Sequence, residues 1–239
     1  MLNVSNFIQN QVNKCDPGRI IQLNDFKIPA DNRMAMAKEL SRLAQKGILC
    51  RLEKGKYFRP RQTAFGVLRP SEKEVINTIL KSSKGYLSGA ASFNSLGLTS
   101  QVANTIEISV SEFRPPKVIA GIKIKFRKSI IDITAENSEV LQILDAVRHI
   151  KKIPGSMPDE ALVVLIAKIR SMSHSQKQQL ADYALRYNPS TRALTGAMFE
   201  LNCAGISVSK LFKSLNPLST YRLGILDEYL PNKLKWRIE

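Results

Sequence analysis

The chain has 239 residues, room for one or two domains at the usual ~100–200 residues each. A hydrophobic share of 44% is enough for real cores, but a formal net charge of +16 is unusual. Residues 1–70 carry 13 Lys+Arg against 5 Asp+Glu, so half of the excess sits in under a third of the chain, a distribution that favours a polyanionic partner over a general solubility device.

The opening MLNVSNFIQNQ is polar and lacks the basic, apolar and small-residue pattern of a signal peptide. Ser5 to Lys14 predicts a first helix, and Asn24-Asp25-Phe26 the start of a short second one. After the helix-excluding Ile28-Pro29 step, Asp31 is the expected N-cap of a third helix. Met36, Ala37, Leu40, Leu43 and Ala44 share one face of that helix, with Lys38, Glu39, Arg42, Gln45 and Lys46 on the other. Gly47 is placed as its C-terminal stop. Ile48–Leu52 and Lys56–Arg59 read as strands joined by Glu53-Lys54-Gly55, a glycine-bearing hairpin turn. Helix, glycine stop and basic hairpin in that order predict a winged helix-turn-helix over residues 1–62.

Residues 59–70 hold two prolines and no periodicity, and serve as the boundary to a second region, 70–239. Ser71 and Glu74 have capping-box spacing at the head of a helix to about Lys81, with Val75, Ile76 and Ile79 inward. Ser88–Ser95 is a short expected helix; Ile106-x-Ile108-x-Val110 and Ile122–Phe126 alternate as strands, making a small mixed α/β unit. From Ser138 the pattern is helical: to near Lys152, Asp159–Met172, Ser173–Tyr187 stopped by Asn188-Pro189, Thr191–Cys203, and Val208–Leu215. Short connections predict a helical bundle, with the tail around Tyr221–Gly224 and Leu234–Ile238 adding final strands. The fold class expected is therefore α+β.

Double-stranded DNA is the partner that this charge pattern suits. Each neutralised phosphate releases counterions and steepens the salt dependence by roughly 0.9. Lys38 and Arg42 lie one turn apart on the expected outer face. Asn32 and Arg33, at the start of the helix, are the candidates for base readout, since Arg pairs with guanine and Asn with adenine. Arg51, Lys54, Lys56 and Arg59 are the expected wing contacts to phosphate. A basic amphipathic helix is also an ordinary solvated surface, and winged folds also dock proteins; an interaction adaptor using Leu223, Tyr229 or Trp236 of the tail is the alternative.

Catalytic constellations are missing from the sequence. His149 ends a helix beside Lys151 and Lys152, His174 starts another, and neither has ligands at metal-binding spacing. There is no GxGxxG, GxxxxGK[ST] or GxSxG motif, and Asp159-Glu160 reads as a helix-start pair. Cys15, Cys50 and Cys203 form no CxxC pair and read as packing residues of a reducing cytoplasm. No apolar run reaches the ~18 residues that span a bilayer. The expectation is a cytoplasmic non-enzyme with no cofactor or metal.

A set of residues bears a family resemblance: Asp25-Phe26-x-Ile28, Asn32-Arg33, Leu40-Ser41-Arg42-Leu43, Lys46-Gly47, Arg51-Leu52, Gly55-x-Tyr57 and Arg59-Pro60, then Gly97-Leu98-Thr99-x-Gln101-Val102 before the Ile106–Val110 strand. Together they resemble AbiEi-type antitoxins of the type IV toxin–antitoxin (abortive infection) systems of bacteria, over roughly residues 20–130. The resemblance implies a transcriptional repressor that binds inverted repeats in its own promoter, with possible self-association on DNA. It further implies that the protein opposes a nucleotidyltransferase toxin without a stable complex. Arg33, Arg42, Arg51, Tyr57 and Arg59 are the positions that match the family's basic motif.

Overall fold

The computed structural model describes residues 4–26 and 29–239, so Ile28 of the expected Ile28-Pro29 step, and the first three residues of the polar opening, lie outside the described residues. The chain is mixed α+β and divides into two compact units, 1–82 with 117–123, and 83–116 with 124–239.

In the first unit, α1 (Val4–Lys14) buries Ile8 and Val12. A three-residue strand β1 (Ile20–Gln22) follows, then a 3-10 turn, Leu23–Asp25, where a short second helix was expected. A second 3-10 turn, Ala30–Asn32, leads into α2 (Arg33–Gln45), so Asn32 and not Asp31 is the N-cap residue. The chain enters α2 through the bond from Asn32 N–H to the Pro29 carbonyl, and Asn32 makes no side-chain cap. At the other end Gly47 does what its position promised. With φ +73 it lets Gly47 N–H reach the Ala44 carbonyl and Ile48 N–H reach that of Leu43, the paired bonds of a Schellman stop.

β2 (Cys50–Glu53) and β3 (Lys56–Phe58) form the expected hairpin, with Gly55 at φ +75 in its turn. β1 adds to its far side, giving an antiparallel sheet in the order β1-β3-β2 with Ile20, Ile21 and Gln22 opposite Phe58, Tyr57 and Lys56. Ile21 and Tyr57 join Ile8, Val12, Met36, Leu40, Leu43 and Leu49 in one core. Ile20 and Phe58, on the other face by strand alternation, are buried too.

Residues 61–68 are not irregular as expected. They fold back as a hairpin of β4 (Gln62–Thr63) and β5 (Gly66–Val67), with Phe65 fully exposed in its turn. α3 (Glu72–Ser83) then begins with half of the anticipated capping box. Ser71 Oγ accepts from Glu74 N–H, but the Glu74 carboxylate accepts instead from Ile20 N–H, a donor on the edge strand that needs a partner.

The second unit starts with β6 (Gly85–Ser88), antiparallel to β7 (Thr105–Val110), with α4 (Gly89–Ser95) between them. β9 (Ile122–Lys128) lies mostly in this unit, whereas β8 (Lys117–Ile119) belongs to the 117–123 segment of the first; the strand order is β6-β7-β9-β8. Helices α5 (Ser138–Arg148), α6 (Pro158–Ser171), α7 (His174–Ala184), α8 (Pro189–Asn202) and α9 (Ser209–Lys213) follow. α5 stops short of Lys152, which lies in a 3-10 turn. α7 stops before Tyr187, and Asn188-Pro189 is not its terminator but the start of α8. The Asn188 side chain accepts from Thr191 N–H, and Pro189 sits where no N–H is needed.

The tail does not supply final strands; Tyr221 and Ile238 form one isolated bridge among the described residues. Its task is to fill the helical core. Trp236 is fully buried, donates Nε1–H to Glu200, and meets Phe212 edge-on at 5.3 Å between ring centres. Gly196 of α8 makes room for it, since a Cβ there would lie 2.0 Å from the indole ring. In a helix interior Gly→Ala ordinarily gains ~1 kcal/mol, whereas overpacking a core costs about 1–3 kcal/mol, and contact this close puts the clash ahead. Gly196→Ala should therefore lower the denaturation midpoint and shift the emission of the single tryptophan to the red. An unchanged midpoint and spectrum would show that the indole is not wedged against α8.

Candidate functional site

The first unit has a basic surface, and the predicted contact residues on it fall into two sets. Arg33, Lys38, Arg51 and Lys54 are exposed and make no ion pair among the described residues. Arg33 stands in the first turn of α2 and Lys38 two residues before the buried Leu40; Arg51 is on β2 and Lys54 in the hairpin turn. Asn32 is half-buried at the helix entrance.

The other predicted contacts are committed elsewhere. Glu39, expected on the solvent face, lies on the buried stripe Met36-Glu39-Leu40-Leu43. The core admits it because Arg42 grips its carboxylate with two bonds, Nε at 2.9 Å and Nη2 at 2.7 Å, and also donates to Ser5 Oγ on α1. Arg42 is thus a bracket between α2 and α1. Lys56 pairs with Glu53 at 2.6 Å, and Glu53 is shared with Lys117 at 3.3 Å. The Arg59 guanidinium donates to the carbonyls of Asn13 and Cys15 at 2.8 and 3.1 Å, satisfying acceptors at the negative end of α1. Tyr57 is 5% exposed, its ring part of the core, and offers no surface to a ligand.

The β2–β3 turn, the bare cations and the entrance of α2 are all held by one core. α2 is seated by Met36, Leu40 and Leu43, and the hairpin by Leu49 and Tyr57. Uncommitted Arg and Lys on rigid elements can neutralise a row of phosphates, and an Arg and an Asn at a helix entrance can bond to base edges. Among the described residues no three His, Cys, Asp or Glu side chains cluster. Cys15 is half-buried and Cys203 buried, and burial raises the pKa of both thiols, as in packing cysteines. Leu223 and Trp236 of the tail belong to the helical core, leaving only Tyr229 of that trio at the surface. No described helix is long and apolar enough to cross a membrane.

The family DUF6088, a family of unknown function, matches residues 7–179, and the chain belongs to it. No curated protein gives a significant match. Among solved structures, the crystal structure of the RV2827C protein from Mycobacterium tuberculosis is similar, with a TM-score of 0.50 and 11% identity over 93% of this chain and 86% of that one. At that identity the likeness concerns the fold alone, and it extends across both units.

The Glu39–Arg42 bracket has a pH signature. The Glu39 carboxyl is held below the ordinary value of 4.5, chiefly by hydrogen bonding from Arg42, with Ser5 and Gln9 adding and burial opposing. A depressed carboxylate contributes stability that is complete above its unfolded pKa and is lost as pH falls through the lowered folded one. Glu39→Gln should therefore flatten the decline in stability below pH 4.5 while destabilising the protein at pH 7. Parallel acid unfolding curves for variant and parent would remove Glu39 from that role.

Proposed function

We propose that the protein is a DNA-binding transcriptional autoregulator whose residues 1–62 form a winged helix-turn-helix. α2 would be the recognition helix and the β2–β3 hairpin the wing. The order of elements supports this reading: helix, strand, short turn of helix, helix, then two strands, with the first strand pairing to the last in the sheet β1-β3-β2. The observation that carries it is the division of the cations. Arg33, Lys38, Arg51 and Lys54 are left without carboxylate partners on the helix and wing, although Glu39 and Glu53 stand in the same unit and are taken up by Arg42, Lys56 and Lys117.

In this reading Arg33 and Asn32 touch base edges, while Lys38, Arg51 and Lys54 hold phosphates. Arg42, Lys56, Tyr57 and Arg59, which match or adjoin the basic motif of AbiEi-type antitoxins, serve by fixing α1, α2 and the hairpin. The resemblance to that family extends the proposal: the operator is an inverted repeat in the protein's own promoter. The second unit then acts as antitoxin against a nucleotidyltransferase toxin.

The direct test is a mobility shift on the protein's own upstream region. Purified protein should retard that duplex at concentrations at least about tenfold below those needed for a scrambled duplex, a gap of ~1.4 kcal/mol. Arg33→Ala should cost about 1–3 kcal/mol on the operator and relax the choice of base at one position per half-site. Equal retardation of both duplexes, or an undiminished shift by Arg33→Ala, would overturn the recognition-helix assignment.

A further inference from the structure

The second unit contains a cleft that DNA binding by the first unit does not use. Two lobes, of about 170 and 460 Å³, share Arg127, Asp145 and His149. The smaller is walled by Phe93, His149, Ser88 and Gly89, and the larger by Tyr86, Phe113, Phe126 and the cations Lys128 and Arg148. Their combined size is that of ordinary small-molecule sites.

The shared residues are held in place. Asp145 of α5 accepts from Tyr86 OH at 2.9 Å and Tyr187 OH at 3.3 Å. His149 Nδ1 lies 2.8 Å from the Asp145 carbonyl, which orients the ring and leaves Nε2 for another partner; the ring of Phe93 stands 6.3 Å away. Glu107 of β7 holds the Arg127 guanidinium through Nε at 2.6 Å and Nη2 at 2.9 Å. Two of the five guanidinium N–H donors are thereby used, and no described bond takes the rest. Gly89, at φ +63, permits this arrangement, because a Cβ there would come within 2.7 Å of Glu107 Oε2.

Two features point to a ligand. Ser88 lines the smaller lobe, and its buried Oγ has no hydrogen-bond partner. Four cations, Arg127, Lys128, Arg148 and Lys152, meet two carboxylates, Glu107 and Asp145, for a net +2. An aromatic-walled lobe with an unsatisfied hydroxyl beside a cationic lobe suits a flat polar ring attached to a dianion.

We infer that this cleft binds a nucleoside monophosphate, with the base against Phe93 and His149, bonded by Ser88 Oγ, and the phosphate held by Arg127, Lys128 and Arg148. The site is independent of the DNA-binding reading.

Calorimetric titration of the full chain with each of the four ribonucleoside monophosphates, and separately with inorganic phosphate, tests it. At least one nucleotide should bind saturably and at least tenfold tighter than phosphate. Arg127→Gln and Gly89→Ala should each weaken that binding tenfold or more. Ser88→Ala should weaken it while leaving the melting temperature equal to or above that of the parent, since the lost hydroxyl has no partner. Arg33→Ala/Lys38→Ala should bind the nucleotide as the parent does, which separates this site from adventitious binding to the basic first unit. No saturable nucleotide binding, phosphate binding as tight as the best nucleotide, or undiminished binding by Arg127→Gln with Ser88→Ala would overturn the assignment.

Discussion

The pairing of Ile20–Gln22 with Lys56–Phe58 is the constraint on which the first unit depends. Alone, the β2–β3 hairpin is a two-stranded element of the kind that is marginal in water. The third strand gives Tyr57 a partner in Ile21 on one face and Phe58 a partner in Ile20 on the other. A sheet buried on both faces can then hold α1 and α2 on one side through Ile8, Val12, Met36, Leu40 and Leu43. Glu74, reaching from α3 to the Ile20 N–H, pins the same strand from outside the sheet. The presentation of α2 and the β2–β3 hairpin to solvent rests on these three residue pairs.

Charge is used in two ways within this frame. Arg42 and Arg59 behave as structural parts: one neutralises a glutamate on the core stripe, the other fills the acceptors at the end of α1. Arg33, Lys38, Arg51 and Lys54 have no such duty among the described residues. The distinction matters for reading the basic motif, because residues that share a chemical type divide into those bonded within the unit and those left bare. The second unit follows the same economy. Glu200 collects Lys235, Asn232 and the indole of Trp236 to lock the tail, and Glu107 orients Arg127 beside the cleft.

Features governed by local chemistry were legible in the sequence. The α2 periodicity, the Gly47 stop and the Gly55 turn follow from side-chain spacing and backbone freedom, and the later helices from their apolar patterns. Features that depend on a distant partner were not. β1 is three residues long and buried on both faces, so it shows no alternation; β6 and β8 are similarly short. Glu39 sits on the core stripe only because Arg42 and Ser5 are there to receive it, and Tyr57 faces inward because Ile21 lies opposite. The cleft was out of reach of the sequence, since Ser88, Glu107 and Arg127 come from three different strands, and Asp145 and His149 from the end of α5.

The central claim, that bare and committed cations of the first unit differ in role, is tested most directly by the salt dependence of DNA affinity. Fluorescence anisotropy over a range of salt gives the slope of log affinity against log salt for the parent and for single alanine variants. The account predicts that Lys38→Ala, Arg51→Ala and Lys54→Ala each reduce the slope by about one. Arg42→Ala and Arg59→Ala should lower thermal stability while leaving the slope of the folded protein as it was. A slope that falls equally in both groups, or in neither, would contradict it.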